Sequence, residues 1–404
     1  MPATAGALGA PVGQVRGAAR SGASTEAAES SRMDLRVAGG RVVARTPVAP
    51  SADRLTGDGD ELVTADGLTL LPGWIDLQVN GAFGIDLTSN PDGLWDLAER
   101  LPPTGVTAFL PTLVSPRADT VAAAIAAWHA GPPDGWTGAA PLGWHIEGPF
   151  IAAAHRGTHP RESLRPVDVD GLRTWAASGA VRMVTLAPEL SGAEEAIGVL
   201  TAAGVVVAAG HTGADHDQAV AAVAAGVRAV THVCNAMRPL HHRDPGLVSV
   251  ALTDPNLSLG VIADGIHIHP AVLRLLLQAA GANRIHLVTD AMAAAGLGAG
   301  AHRLGDLQVT VADDGPRNPA GGLAGSAATY DQVVRVWQAA TASGPSALAR
   351  VTSGTAAALL GDPDRGHLAV GARADVTGVD AAGRVALTII DGRVLHPRDP
   401  EGTR

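Results

Sequence analysis

The segment at residues 140–150 reads A-P-L-G-W-H-I-E-G-P-F, a short apolar run that ends in one carboxylate, Glu147, and breaks at Gly148 and Pro149. A strand that delivers a single acid to a Gly-Pro turn makes an edge on which a metal ion can sit. Two later runs end alike, each in a histidine: V-V-V-A-A-G-H-T at 205–212 carries His211, and A-V-T-H-V-C-N-A-M at 229–237 carries His232. One Glu and two His make a three-ligand set with a position left for water. A fourth run, I-H-L-V-T-D-A-M at 285–292, leads to Asp290, a carboxylate suited to a general base. Singly, each of these is an ordinary turn residue or hydrogen-bonded histidine. Repeated at the C-terminal ends of successive apolar strands, they form the pattern by which α/β barrels place their chemistry.

Outward from these four runs, apolar strand-like stretches alternate with Ala-rich helical ones, which predicts parallel βαβ units. The candidate strands lie at 70–79, 106–113, 142–146, 181–186, 205–209, 229–233, 257–263 and 285–289, the set that a closed (β/α)8 barrel requires. With 404 residues, the chain has room for a barrel of about 250 residues and a small second domain. Short strands with Gly turns at 35–69 return in like character at 372–396, so the two terminal segments are expected to pair. The reading is a small β-sandwich from 33–69 and 366–397, a barrel over 70–365, and a tail at 398–404. Residues 1–32, rich in Ala, Gly, Ser and Thr, read as a disordered extension.

A net charge of -10 argues against a nucleic-acid or anionic-membrane partner, so a small anionic substrate would need a local Arg or His cluster. There is no lysine: all 29 basic residues are arginine, which removes Schiff-base chemistry, a phosphate-loop lysine and a lysine bridging two metals. The single cysteine, Cys234, excludes intramolecular disulfides and reads as a small buried thiol. His286, with His241, His242 and His302, reads as a surface or loop residue. No stretch reads as a membrane span or a signal peptide, and the expected compartment is cytoplasmic.

In order along the chain stand P-G-W-I-D-L-Q-V-N-G (72–81), H-I-E-G-P-F (145–150), G-T-H-P (157–160), G-H-T (210–212), T-H-V-C-N-A-M (231–237), D-G-I-H (264–267), V-T-D-A-M (288–292) and L-A-G-S (323–326). Together they resemble the N-acetylglucosamine-6-phosphate deacetylase family of the amidohydrolase superfamily, over about residues 35–396. The resemblance implies a (β/α)8 barrel with a small β-sandwich, a homodimer, and hydrolysis of N-acetyl-D-glucosamine 6-phosphate to D-glucosamine 6-phosphate and acetate. It places the chain in amino-sugar catabolism and cell-wall sugar recycling. It makes Glu147, His211 and His232 the metal ligands and Asp290 the proton acceptor. It also implies that His159 stabilises the oxyanion, that Arg243 and His267 clamp the phosphate, partly across the dimer, and that the backbone of Asn235 and Ala236 completes the cradle. Leu323 becomes pocket wall near the acetyl group. Many amidohydrolases end their first barrel strand in His-x-His to hold a second metal; here Gln78-Val79-Asn80 stands in that place, so one divalent ion is expected, zinc first, with iron, manganese or cobalt as alternatives. Two alternatives stay open: a deacetylase for another N-acetylated amino-sugar phosphate, such as the galactosamine epimer, and a non-catalytic barrel scaffold.

Overall fold

The structure is a computed structural model that describes residues 14–18, 33–47, 62–304 and 307–397. Eight parallel strands pair in chain order: β1 (Trp74–Val79), β2 (Val106–Val114), β3 (Trp144–Glu147), β4 (Val181–Leu186), β5 (Val206–Ala209), β6 (Ala229–Val230), β7 (Ser258–Ile262) and β8 (Ile285–Val288). The ring closes at its C-terminal rim, where Asp290 N donates to Gln78 O at 3.0 Å and Asn80 N to Ala291 O at 2.9 Å. These strands are buried on both faces, which is why they read as near-continuous apolar runs rather than as alternation.

The outer faces of β1 to β8 pack on helices through one large core that includes Phe109, Ile146, Leu186 and Val207. The helices are short and Ala-rich, and capping helps to start them. His216–Ala225 begins at Asp215, whose side chain accepts from Gln218 N while the Gln218 side chain accepts from Asp215 N.

Inside the barrel an apolar floor of Ile75, Leu77, Ala108, Leu110 and Met183 lies beneath a polar layer. There His145 Nε2 meets Thr185 Oγ1 at 2.8 Å, and Thr185 Oγ1 meets Thr231 Oγ1 at 2.6 Å. His286 belongs to this interior, 2.8 Å from Ser258 Oγ, and is not the surface residue that its sequence position suggested.

The terminal segments share one seven-stranded sheet with its own apolar core, Leu35, Val37, Leu70, Val376 and Ile389 among it. The sheet curls until Val42 N donates to Ala372 O at 2.9 Å. The strand read at 70–79 is in fact two: Leu62–Pro72 runs antiparallel to Val376–Val379 in the small sheet, and β1 starts a new direction at Trp74. The break falls at Gly73, where an added Cβ would sit 2.2 Å from Thr107 Oγ1. Gln14–Ala18 is a strand between Met33–Ala38 and Leu62–Pro72, which corrects the reading of 1–32 as wholly disordered. The rest of that segment, and the 398–404 tail, lie outside the described residues.

Candidate active site

Glu147 ends β3, His211 follows β5 and His232 follows β6, so three strands of the ring bring their end residues to the barrel mouth. His211, His232 and Asp290 have φ of 49°, 30° and 50°. Non-glycine residues avoid that region, at a cost on the order of 1–3 kcal/mol each, and it persists mainly where a surrounding fold holds a functional group in place.

The donor set fits a divalent cation. His211 Nε2, His232 Nε2 and Glu147 Oε1 lie 3.0–3.2 Å from one another. Two imidazole nitrogens that close share at most one proton, whereas three lone pairs converging on one point suit a single ion. His211 Nδ1 donates to His155 O at 2.9 Å, which leaves its Nε2 lone pair facing inward, whereas His232 Nδ1 is buried without a protein partner. Burial by itself would raise the Glu147 carboxyl, but the two histidines against it outweigh burial and hold the group below the ordinary range.

Gln78 reaches into the same mouth from β1. Its Nε2 donates to Glu147 Oε1 and to Asp290 Oδ1, each at 3.0 Å, and Asn80 Nδ2 donates to Asp290 Oδ1 at 2.8 Å. The Gln78 side-chain amide thus lies between the Glu147 and Asp290 carboxylates and presents N–H donors to both. Gln78 and Asn80 load a single Asp290 oxygen, so Oδ2 keeps its lone pairs for other chemistry. Burial, and then the Glu147 charge, push Asp290 up to about 6.

His159 Nδ1 is 2.7 Å from Ser115 Oγ, and burial lowers the ring to about 3, so it is neutral. With Ser115 donating, the Nε2–H points away as a hydrogen-bond donor. His267 Nδ1 donates to Asp264 Oδ2 at 2.7 Å, which turns its Nε2 toward the cavity; Ser326 Oγ also reaches that oxygen, at 3.2 Å.

The cavity measures about 290 Å³ and is lined by Glu147, His159, His211, His232, Asn235, Ala236, His267, Asp290 and Leu323 among others. Nine of the ten residues singled out in the sequence are therefore brought together. Arg243 is not: it lies exposed on a loop, its Nη1 2.7 Å from His242 Nε2, outside its own chain's cavity. The Asn235 amide is engaged with His232 O at 3.0 Å, so among the described residues only the Ala236 amide of that pair has no protein acceptor. Cys234 is exposed and apart from the cavity, not buried. Ser115 and Asp264 were missed; Asp264 stood within D-G-I-H, while nothing in the sequence marked Ser115.

Residues 69–395 match the model of the amidohydrolase family. The chain belongs to that family. Within it, the chain is 39% identical over 389 residues to N-acetylglucosamine-6-phosphate deacetylase of Bos taurus, covering 90% of this chain and 91% of the relative. The Bacillus subtilis (strain 168) protein of the same name is 36% identical over 332 residues, covering 80% and 84%. Among solved structures, a mutant deacetylase from Mycobacterium smegmatis in complex with N-acetyl-D-glucosamine-6-phosphate superposes with a TM-score of 0.84 at 30% identity, covering 96% of this chain and all (100%) of that one. The Thermotoga maritima enzyme gives 0.79 at 30% identity, covering 91% and 96%. The (β/α)8 barrel and the pairing of the two terminal segments in a small β domain are those expected from the sequence.

Proposed function

We infer that this amidohydrolase hydrolyses N-acetyl-D-glucosamine 6-phosphate to D-glucosamine 6-phosphate and acetate, as the names of its relatives state for them. The observation that carries the reading is the convergence of Glu147, His211 and His232 on one point beside an Asp290 poised near 6. A divalent ion held by those three residues acts as a Lewis acid and lowers the pKa of a water beside it. Asp290 Oδ2 takes the proton of the water that attacks the acetamide carbonyl and returns it to the amine nitrogen as the C–N bond breaks, a role its raised pKa suits near neutral pH. His159 donates from Nε2 to the carbonyl oxygen as charge develops there. Leu323 borders the acetyl methyl.

His267, oriented by Asp264, meets the phosphate with the Ala236 amide. Because Arg243 lies outside its own chain's cavity, the second arm of the clamp comes from Arg243 of another copy in a homodimer. One ion per chain is favoured by the Gln78 and Asn80 amides; zinc suits two His and one Glu with an open position. Among the described residues no helix is long and apolar enough to cross a membrane, and a cytoplasmic site accords with a lone cysteine.

The test is acetate release by metal-replete protein from N-acetylglucosamine 6-phosphate, with the unphosphorylated sugar in parallel. Release from the phosphate alone supports both the chemistry and the clamp. No release from either, with metal bound, refutes the reading.

A further inference from the structure

A second cavity, of about 510 Å³, lies apart from the catalytic one. It lies where the small sheet meets the opposite, N-terminal end of the barrel, walled by Leu70 and Leu71 of the strand before β1 and by Leu368. Pro72 on its wall and Gln78 in the catalytic mouth are separated by roughly 20 Å of extended chain.

Three arginines line this cavity in a chain whose net charge is -10. Arg365 is ion-paired, with Nη1 2.7 Å from Asp362 and Nε 3.3 Å from Asp375, although that Nε makes no hydrogen bond. Arg45 and Arg350 differ: among the described residues neither guanidinium has a hydrogen bond or an ion pair, and Arg45 Nε is buried without a partner. A buried donor left unmet is rare enough in folded proteins to call for an explanation, a bound ligand or ion among them. Arg350 also opens a π-helical turn, Arg350–Gly354. Such turns are frequent at functional sites, and this one is pinned by Ser353 Oγ to Pro72 O at 3.1 Å and Gly73 O at 2.9 Å.

We propose that this cavity is a second binding site, for a small phosphorylated metabolite whose phosphate is held between Arg45 and Arg350 and whose body lies on Leu70, Leu71 and Leu368. Two unpaired guanidinium groups match the charge of a phosphate monoester, about -1.5 to -2 at neutral pH, and present their donors in the geometry that phosphate oxygens accept. The site is independent of the catalytic reading, because it shares no residue with the catalytic cavity.

Isothermal titration with inorganic phosphate tests it, on full-length, metal-replete protein carrying Arg243→Gln and His267→Gln so that the catalytic clamp is silenced. That background is expected to retain one phosphate equivalent. Adding Arg350→Gln, an exposed position that leaves folding intact, weakens the remaining affinity at least tenfold, and Arg45→Gln does the same. The proposal is overturned if the background protein binds no phosphate, or if phosphate binds it equally well with and without Arg350→Gln. Because the readout is binding rather than turnover, failure of the deacetylase reading would leave this result intact.

Discussion

Gln78→Leu deletes two hydrogen bonds from one buried amide while keeping its volume. Bonds to charged groups contribute about 1.5–3 kcal/mol each. Glu147 would retain His211 and His232, and Asp290 would retain Asn80 at 2.8 Å. The loss therefore falls near the lower bound, about 3 kcal/mol in metal-free protein at pH 8, where both carboxylates are ionised. Asp290 sits at about 6, so at pH 5 it is protonated in both proteins and its share of the loss disappears. Roughly half should remain, the part that belongs to Glu147. Urea unfolding of both proteins at the two pH values measures the difference. An equal penalty at pH 5 and pH 8, or no penalty at either, refutes the idea that the amide stabilises two buried negative charges.

Asp290→Asn should cut kcat by about 10² to 10⁴ with metal content unchanged by elemental analysis; near wild-type turnover removes Asp290 from proton transfer. Asp76, buried against Thr289 Oγ1 at 2.6 Å, is raised by burial from 3.8 to about 7, roughly three pH units or about 4 kcal/mol. Its folded-state pKa is the higher one, so its stabilising contribution is complete below pH 4 and is lost as pH rises to 7. Relative to Asp76→Asn, the wild type should therefore lose stability over that window in a denaturant titration; parallel curves would contradict it. Arg243→Gln should raise KM for the phosphorylated sugar at least tenfold, and mixing it with Asp290→Asn protein should restore activity through hybrid dimers. Additive activities with no recovery would place Arg243 in its own chain's site or in none. Converting Gln78 and Asn80 together to histidine should raise bound metal from one to two equivalents per chain; a value still at one would show that the amides are not what excludes the second ion.

The sequence by itself determined most of the barrel strands, their parallel order and the polar residues that follow four of them, Glu147, His211, His232 and Asp290, because burial on both faces and Gly or Pro turns leave short-range marks. The absence of lysine and the change from His-x-His to Gln78-Val79-Asn80 were equally plain as composition and motif. Where β1 begins was not legible, since Leu70 and Leu71 are as apolar as the strand that follows, and the break at Gly73 is marked by tertiary contacts with Thr107 and Ser353. Nor could spacing reveal that Gln78 lies between Glu147 and Asp290, which are 69 and 212 residues away in the chain. That contact exists because β8 returns to β1 and closes the ring. His211, His232 and Asp290 also hold backbone conformations that their own residue types disfavour. Arg243 left out of its own cavity, and Arg45 and Arg350 left unpaired in another, were decided at the same level. Local preferences act over a few residues, whereas which side chains meet depends on how a long chain closes on itself, and that is a property of the tertiary structure alone.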